Sequence, residues 1–221
     1  MKHLNTLSIA VGIALVVSPS FAGSGEADDR VTSLLRRMTL EEKVGQLCER
    51  VTQDLSLVNG GDMEGRAFDN EIVQVIRRGE VGTFVGVPGP EAHNLYQKAA
   101  VEGSRLGIPL MFGRGYVHGC HVTFPIPLAQ SCSWEPELFR RTCEFTAAEA
   151  RGEGVNWFFA PMLDIARDAR WGRIAESLGA DPFLASRIAA DVVRGCQGAD
   201  PSDGRHVAAC AKHFVGYGAG E

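Results

Sequence analysis

No run of lysine and arginine occurs in the 221-residue sequence, and the formal net charge is −5. A phosphate-tracking surface needs such a run, so a nucleic-acid partner is excluded. No GxGxxG follows a strand-like stretch, which weighs against the dinucleotide-binding version of an α/β fold. No GxSxG occurs, which removes an esterase-type serine nucleophile. Neither a low-complexity tract nor an internal repeat of about 20–50 residues is present, which excludes solenoids and propellers. The cysteines Cys48, Cys120, Cys132, Cys143, Cys196 and Cys210 include no CxxC spacing. Most lie in apolar company, as in Val207-Ala208-Ala209-Cys210-Ala211, and are expected as buried free thiols.

The apolar run Leu7 to Val17 is shorter than the ~20 residues a membrane span needs. Lys2 and His3 precede it, and Ser20-Phe21-Ala22 offers small residues where a signal peptidase would cut. Residues 1–22 therefore read as an export signal, and 23–29, small, polar and acidic, as a disordered leader. Cleavage leaves no stable membrane span and implies a periplasmic or extracellular location. Hydrophobic residues at 45% and charged residues at 22% suffice for a sizeable core.

From Arg30 to Met38 the apolar residues Val31, Leu34, Leu35 and Met38 recur at helical spacing. Thr39-Leu40-Glu41-Glu42 is a capping box opening a second helix with Leu40, Val44 and Leu47 on one face. Gly60-Gly61-Asp62 marks a loop, and Asn70 to Arg78 a helix closed by Gly79. Four short apolar stretches then alternate with longer helical ones. The strands are predicted at 81–87, 109–112, 157–160 and 207–211. The intervening helices are predicted at about 90–101, 135–151 and 182–196, with Pro90, Pro136 and Pro182 near their starts. This alternation predicts a parallel α/β sheet. On pattern alone, a doubly wound sheet and a (β/α)8 barrel both remain open. Four strands would be half a barrel, with raw edges that need a partner.

The polar residues gather just after the strands. Gly113-Arg114-Gly115-Tyr116-Val117-His118-Gly119 follows the second, Pro161 to Arg173 the third, and Lys212-His213-Phe214 ends the fourth. In parallel α/β folds that side carries the active site. Arg173 and Lys212 supply donors without titrating, His213 can donate from either ring nitrogen, and Trp171 offers an apolar wall. Such a set suits hydroxyl groups. Asp168 beside Arg170 reads equally as a salt bridge holding the loop. His118 and His121 are too few for zinc, so no metal is expected and His118 reads as a loop-supporting histidine.

These stretches, in this order, resemble family 3 glycoside hydrolases. The resemblance rests on Gly107-Ile108-Pro109-Leu110 leading into Gly113–Gly119, on Thr123-Phe124-Pro125-Ile126-Pro127-Leu128-Ala129, on Phe159 to Arg173, and on Ala209 to Gly218. It implies the N-terminal part of a (β/α)8 TIM-type barrel, incomplete here, and retaining hydrolysis of terminal β-linked glucosyl or xylosyl residues by two carboxyl groups. The substrate partner would be a β-linked glucoside or xyloside, and no cofactor is called for. Arg173, Lys212 and His213 would bind ring hydroxyls, with His118, Asp168 and Arg170 supporting the loops. The family's order puts nucleophile and acid/base beyond Glu221. The expectation is that this chain carries no catalytic carboxylate, needs the C-terminal half as a partner and is inactive alone. A non-catalytic sugar-binding module is the alternative. Lys212-His213-Phe214-Val215-Gly216-Tyr217-Gly218 resembles the glucosidase and xylosidase branch rather than the branch acting on N-acetylated sugars. Gly115 stands where the family carries a sugar-clasping aspartate, and Ala180 where it carries a glutamate; Glu153 is a nearby acid able to compensate.

Overall fold

The computed structural model describes residues 24–52, 70–200 and 203–219. The export signal, Gly23 and the Gly60–Asp62 loop lie outside these residues. The described residues up to Arg37 and those from Met38 onward belong to two separate compact units.

In the first unit, helix α1 spans Ser24–Arg37. It starts six residues before the helix expected at Arg30, so Ser24–Asp29 belong to a helix rather than to a disordered leader. Acidic Asp28 and Asp29 sit toward its N-terminal half, and Arg36 and Arg37 fill its last turn. The two arginines complement the helix dipole at that end.

The second unit opens with α2, Leu40–Leu47, started by the expected capping box: Glu42 N–H donates to Thr39 Oγ1 at 3.2 Å, and Thr39 N–H to Glu42 Oε2 at 2.9 Å. Its leucine face does not enter the core. Leu40, Val44 and Leu47 are exposed, while Gly45 is buried. A Cβ on Gly45 would run into the Gly79 carbonyl, so the helix approaches the body through its smallest residue.

Five strands follow: β1 Glu49–Val51, β2 Thr83–Val85, β3 Met111–Arg114, β4 Trp157–Phe158 and β5 Ala208–Ala209. Every pair is parallel, and the spatial order is β1-β2-β3-β4-β5. A doubly wound sheet reverses its strand order at a switch point; this one advances one strand at a time, as barrel strands do. The fold is thus α/β, with the sheet order of the N-terminal part of a TIM-type barrel. Strand β1 was not expected. Glu49-Arg50-Val51 is exposed along its length and carries no apolar run for periodicity to find.

Between the strands run α3 (Asn70–Arg77), α4 (Gly89–Gly103), α5 (Pro127–Ser131), α6 (Pro136–Gly152) and α7 (Pro182–Gln197). Pro90, Pro127, Pro136 and Pro182 occupy the first or second helical position, where a missing N–H costs nothing. Asp181 caps α7 by accepting from Phe183 and Leu184 N–H. Gly79 closes α3 in the left-handed region at φ 71°.

Two apolar clusters tie helices to sheet. Val75, Ile76, Phe84, Tyr96 and Phe112 pack α3 and α4 against β2 and β3. Phe139, Ala147, Phe158, Ile188 and Val192 pack α6 and α7 against β4. Parallel register aligns Phe84 with Phe112 and Arg114 with Phe158, so alternate positions of successive strands feed the helix side.

All six cysteines are free, but only Cys196 is buried, which corrects the expectation of buried thiols. Cys48 and Cys132 end α2 and α5 as C-caps and are exposed there. Among the described residues no helix is long and apolar enough to cross a membrane.

Candidate functional site

The carboxyl ends of β4 and β5 are held together beyond the strands themselves. Cys210 N–H donates to the Ala160 carbonyl at 2.8 Å, Lys212 N–H to Pro161 at 3.0 Å, and Leu163 N–H to Lys212 at 2.6 Å. The loop after β5 then folds over the loop after β4, with Arg167 N–H on the Gly218 carbonyl at 3.1 Å. Gly218 sits at φ 106°, and a Cβ there would lie 2.5 Å from the Ile165 carbonyl oxygen. Only glycine fits both demands.

This pairing sets Asp164 beside His213. His213 Nδ1 is 2.7 Å from Asp164 Oδ2, and the His213 backbone N–H lies 3.3 Å from each carboxyl oxygen. Its Nε2 lies 3.2 Å from Arg173 Nη1. Arg173 continues the chain: Nε meets Glu176 Oε1 at 2.8 Å and Nη2 meets Oε2 at 2.7 Å. Glu176 lies on a 3₁₀ turn, Ile174–Glu176, immediately after the arginine. The pair holds Arg173 above the ordinary arginine value and Glu176 below the ordinary carboxylate value. Lys212 joins the same electrostatic cluster; burial pushes its amine down and Arg173 adds to this, while Glu176 and Asp164 oppose it.

The Tyr217 ring fastens the group from outside. It meets Trp171 edge-on with centroids 5.1 Å apart and His213 at 5.2 Å, and the Arg173 guanidinium carbon lies 5.9 Å over it. A cavity of about 470 Å³ opens here, lined by Asp164, Lys212, His213 and Tyr217 with Leu163 and Phe214 among its apolar walls. Trp171 is buried behind Tyr217 and does not line this cavity, so the tyrosine forms the wall expected of the tryptophan.

Of the residues picked from sequence, Arg173 and His213 are in contact and Lys212 is adjacent. His118 Nδ1 lies 3.0 Å from the Phe124 carbonyl oxygen and closes its own loop. Asp168 accepts the Arg170 backbone N–H and guanidinium while the arginine side chain stays exposed; the pair braces the loop away from the cavity. Glu153 lies 2.9 Å from His121 Nε2, committed to another loop rather than to the space left by Gly115 or Ala180. Among the described residues no three His, Cys, Asp or Glu side chains converge as metal ligands.

Sequence reasoning passed over Asp164, Glu176 and Tyr217. Asp164 stands in the apolar run Met162-Leu163-Asp164-Ile165, and an acid there signals a buried, partnered carboxylate. Glu176 follows Arg173 at i,i+3, a spacing that pairs side chains on a helical turn. Tyr217 carries no comparable signal.

Fold and site together define a barrel-type α/β chain with a hydrogen-bonding cavity at the carboxyl ends of its strands. Residues 39–221 match the glycosyl hydrolase family 3 N-terminal domain. The chain belongs to that family. It is 34% identical to the periplasmic beta-glucosidase of Salmonella typhimurium, over 97% of this chain and 28% of that protein. It is 31% identical to a putative beta-xylosidase of Formosa agariphila, over 86% of this chain and 27% of that protein. The solved structure of a Listeria innocua beta-glucosidase in complex with glucose superposes with a TM-score of 0.73 at 35% identity, covering 87% of this chain and 27% of that one. The chain thus spans little more than a quarter of the length of these relatives.

Proposed function

We propose that this chain supplies the sugar-binding part of the barrel in an exported hydrolase that removes terminal, non-reducing β-D-glucosyl or xylosyl residues with retention. One observation carries the reading. Among the described residues, the carboxylates of this cluster are committed to a histidine or a cation, Asp164 to His213 and Glu176 to Arg173, and Asp168, away from the cavity, is committed to Arg170. A nucleophile must approach the anomeric carbon unencumbered, and a retaining pair of carboxyl groups stands about 5–5.5 Å apart across the bond. The groups here suit holding hydroxyls. In this reading the nucleophile and the acid/base come from sequence beyond Glu221, and the C-terminal half of the enzyme is the missing partner. The names of the Salmonella and Formosa relatives support glucosides and xylosides as substrates. The positive n-region before Leu7, together with the periplasmic relative, supports export by residues 1–22.

The same committed carboxylates favour the second reading, a module that binds a monosaccharide without cutting it. Nitrophenyl β-glucoside turnover separates the two. The 221-residue chain is expected to give none, and the gene product extended past Glu221 is expected to turn the substrate over. Turnover by the purified 221-residue chain that disappears in Lys212→Ala would show that the nucleophile is within it. An extended product that binds glucose yet never hydrolyses would establish the module.

A further inference from the structure

Two cations line the cavity, Arg167 and Lys212, while Arg173 faces His213 from outside the lining. Two cations alone would accept a phosphate or a sulfate as readily as a neutral polyol. His213 changes that balance through the direction of its proton. Its Nδ1 faces Asp164 Oδ2 at 2.7 Å, and that carboxyl side chain is 2% exposed. Its Nε2 faces Arg173 Nη1 at 3.2 Å. A guanidinium has five N–H donors and no acceptor, so the nitrogen opposite it must offer a lone pair. The single ring proton then sits on Nδ1, where Asp164 accepts it. Tyr217 packs edge-on to the ring and Asp164 also takes the His213 backbone N–H, so neither ring nor carboxylate is free to turn.

We propose that Asp164 is a positioning residue that holds His213 as the neutral, Nδ1-protonated tautomer. Nε2 is thereby a dedicated acceptor, and the ligand group seated against it is a hydroxyl that donates. Nε2 has one lone pair, which Arg173 Nη1 takes in the empty site; a hydroxyl that displaces Nη1 can give its proton to Nε2 and accept one from Nη1 at the same oxygen. A fully ionised oxyanion satisfies Arg167 and Lys212 but meets the Nε2 lone pair with another lone pair. The site therefore selects neutral polyols over oxyanions despite its two cations. The ligand half of this proposal rests on the sugar-binding reading above; the tautomer half does not.

The test has two arms. The full chain is labelled with ¹⁵N-histidine, and two-bond ¹H–¹⁵N correlations at neutral pH show which ring nitrogen carries the proton, the His213 signals being assigned by their loss in His213→Gln. Nδ1 protonated and Nε2 bare is expected. A proton on Nε2 overturns the proposal and leaves the sugar-binding reading intact. Asp164→Asn, whose side chain can also donate to Nδ1, should shift His213 toward the Nε2 proton. A change in Nε2 is not what loss of a merely structural contact would give. If that variant fails to fold, the spectrum of the unaltered chain still decides. In the second arm calorimetry compares glucose with inorganic sulfate, which carries no proton at neutral pH. Glucose is expected to bind at least tenfold more tightly. Sulfate binding as tightly as glucose overturns the hydroxyl half. Binding of neither overturns that half and the sugar-binding reading together, whatever the spectrum shows.

Discussion

Arg173 meets Glu176 through two bonds, Nε to Oε1 at 2.8 Å and Nη2 to Oε2 at 2.7 Å, and this leaves Nη1 to face His213. The carboxylate decides which edge of the guanidinium meets His213. Glu176→Gln keeps the shape and removes the charge. Losing a charge-assisted fork costs about 1.5–3 kcal/mol where the groups are shielded, and these are about two-thirds shielded. Monosaccharide affinity should fall roughly tenfold, as read by calorimetry.

The same pair has a pH signature. Arg173 holds the Glu176 carboxyl below its ordinary value of 4.5. A depressed folded value means that the pair's stabilisation is fully present above the unfolded value and is lost as pH falls through the folded one. The melting-temperature difference between the unaltered chain and Glu176→Gln should therefore be constant above about pH 5 and shrink as the solution is acidified below it. A difference that grows on acidification would mean that the pairing does not stabilise the fold.

Much of this arrangement was legible from residue order. The capping box at Thr39, the proline-started helices and the strand stretches around Phe84, Phe112 and Phe158 follow from periodicity, because burial on a sheet or helix face forces it. Arg173, Lys212 and His213 drew attention because donors gather after strands, and the structure brings these three together. What escaped depends on neighbours distant in sequence. Strand β1 is defined by its pairing with β2 and not by its own charged residues. Asp164 gains its role from His213, 49 positions away. The leucine face of α2 misled because Gly45 makes the contact instead.

His93 is buried on α4, its Nδ1 2.6 Å from the Gly89 carbonyl oxygen and its ring edge-on to Phe112 at 4.6 Å. A carbonyl only accepts, so Nδ1 donates. Burial pushes the imidazole below its ordinary value of 6.5, and the Gly89 bond only partly opposes this. The unfolded chain therefore takes up a proton first as pH falls through 6.5. Stability is full above that point and declines below it, by at most about 1.4 kcal/mol per pH unit for one proton. Denaturant titrations between pH 7 and pH 5 should show this slope, and His93→Gln should flatten it. An unchanged slope in the variant would assign the acid sensitivity to another group.

Gly195 lies within α7, where glycine costs helix stability, yet α6 and α7 meet there. A Cβ at this position would strike the Arg140 carbonyl oxygen and come within 2.9 Å of Cys143 Cβ. Backbone cannot yield as a side-chain tip can. Gly195→Ala should thus destabilise the chain by about 1–3 kcal/mol despite alanine's better helix propensity, seen as a lower denaturation midpoint at unchanged slope. Stabilisation by the variant would show that the helices have room to part.

Gly115 reverses that logic. A Cβ built there meets nothing within 4 Å, and the residue is not among those with positive φ. An aspartate can therefore enter without strain, at the position where the family resemblance implies a carboxylate clasping two sugar hydroxyls. Charge-assisted bonds of that kind contribute about 1.5–3 kcal/mol, so Gly115→Asp should tighten glucose binding roughly tenfold to a hundredfold in calorimetry. The matched control is Gly115→Asn, which has the same size but no charge and should gain less. Equal gains in the two would assign the effect to shape rather than to charge. No gain in either would mean that the loop after β3 does not face the bound sugar, and that Lys212, Arg173 and His213 hold it from one side only.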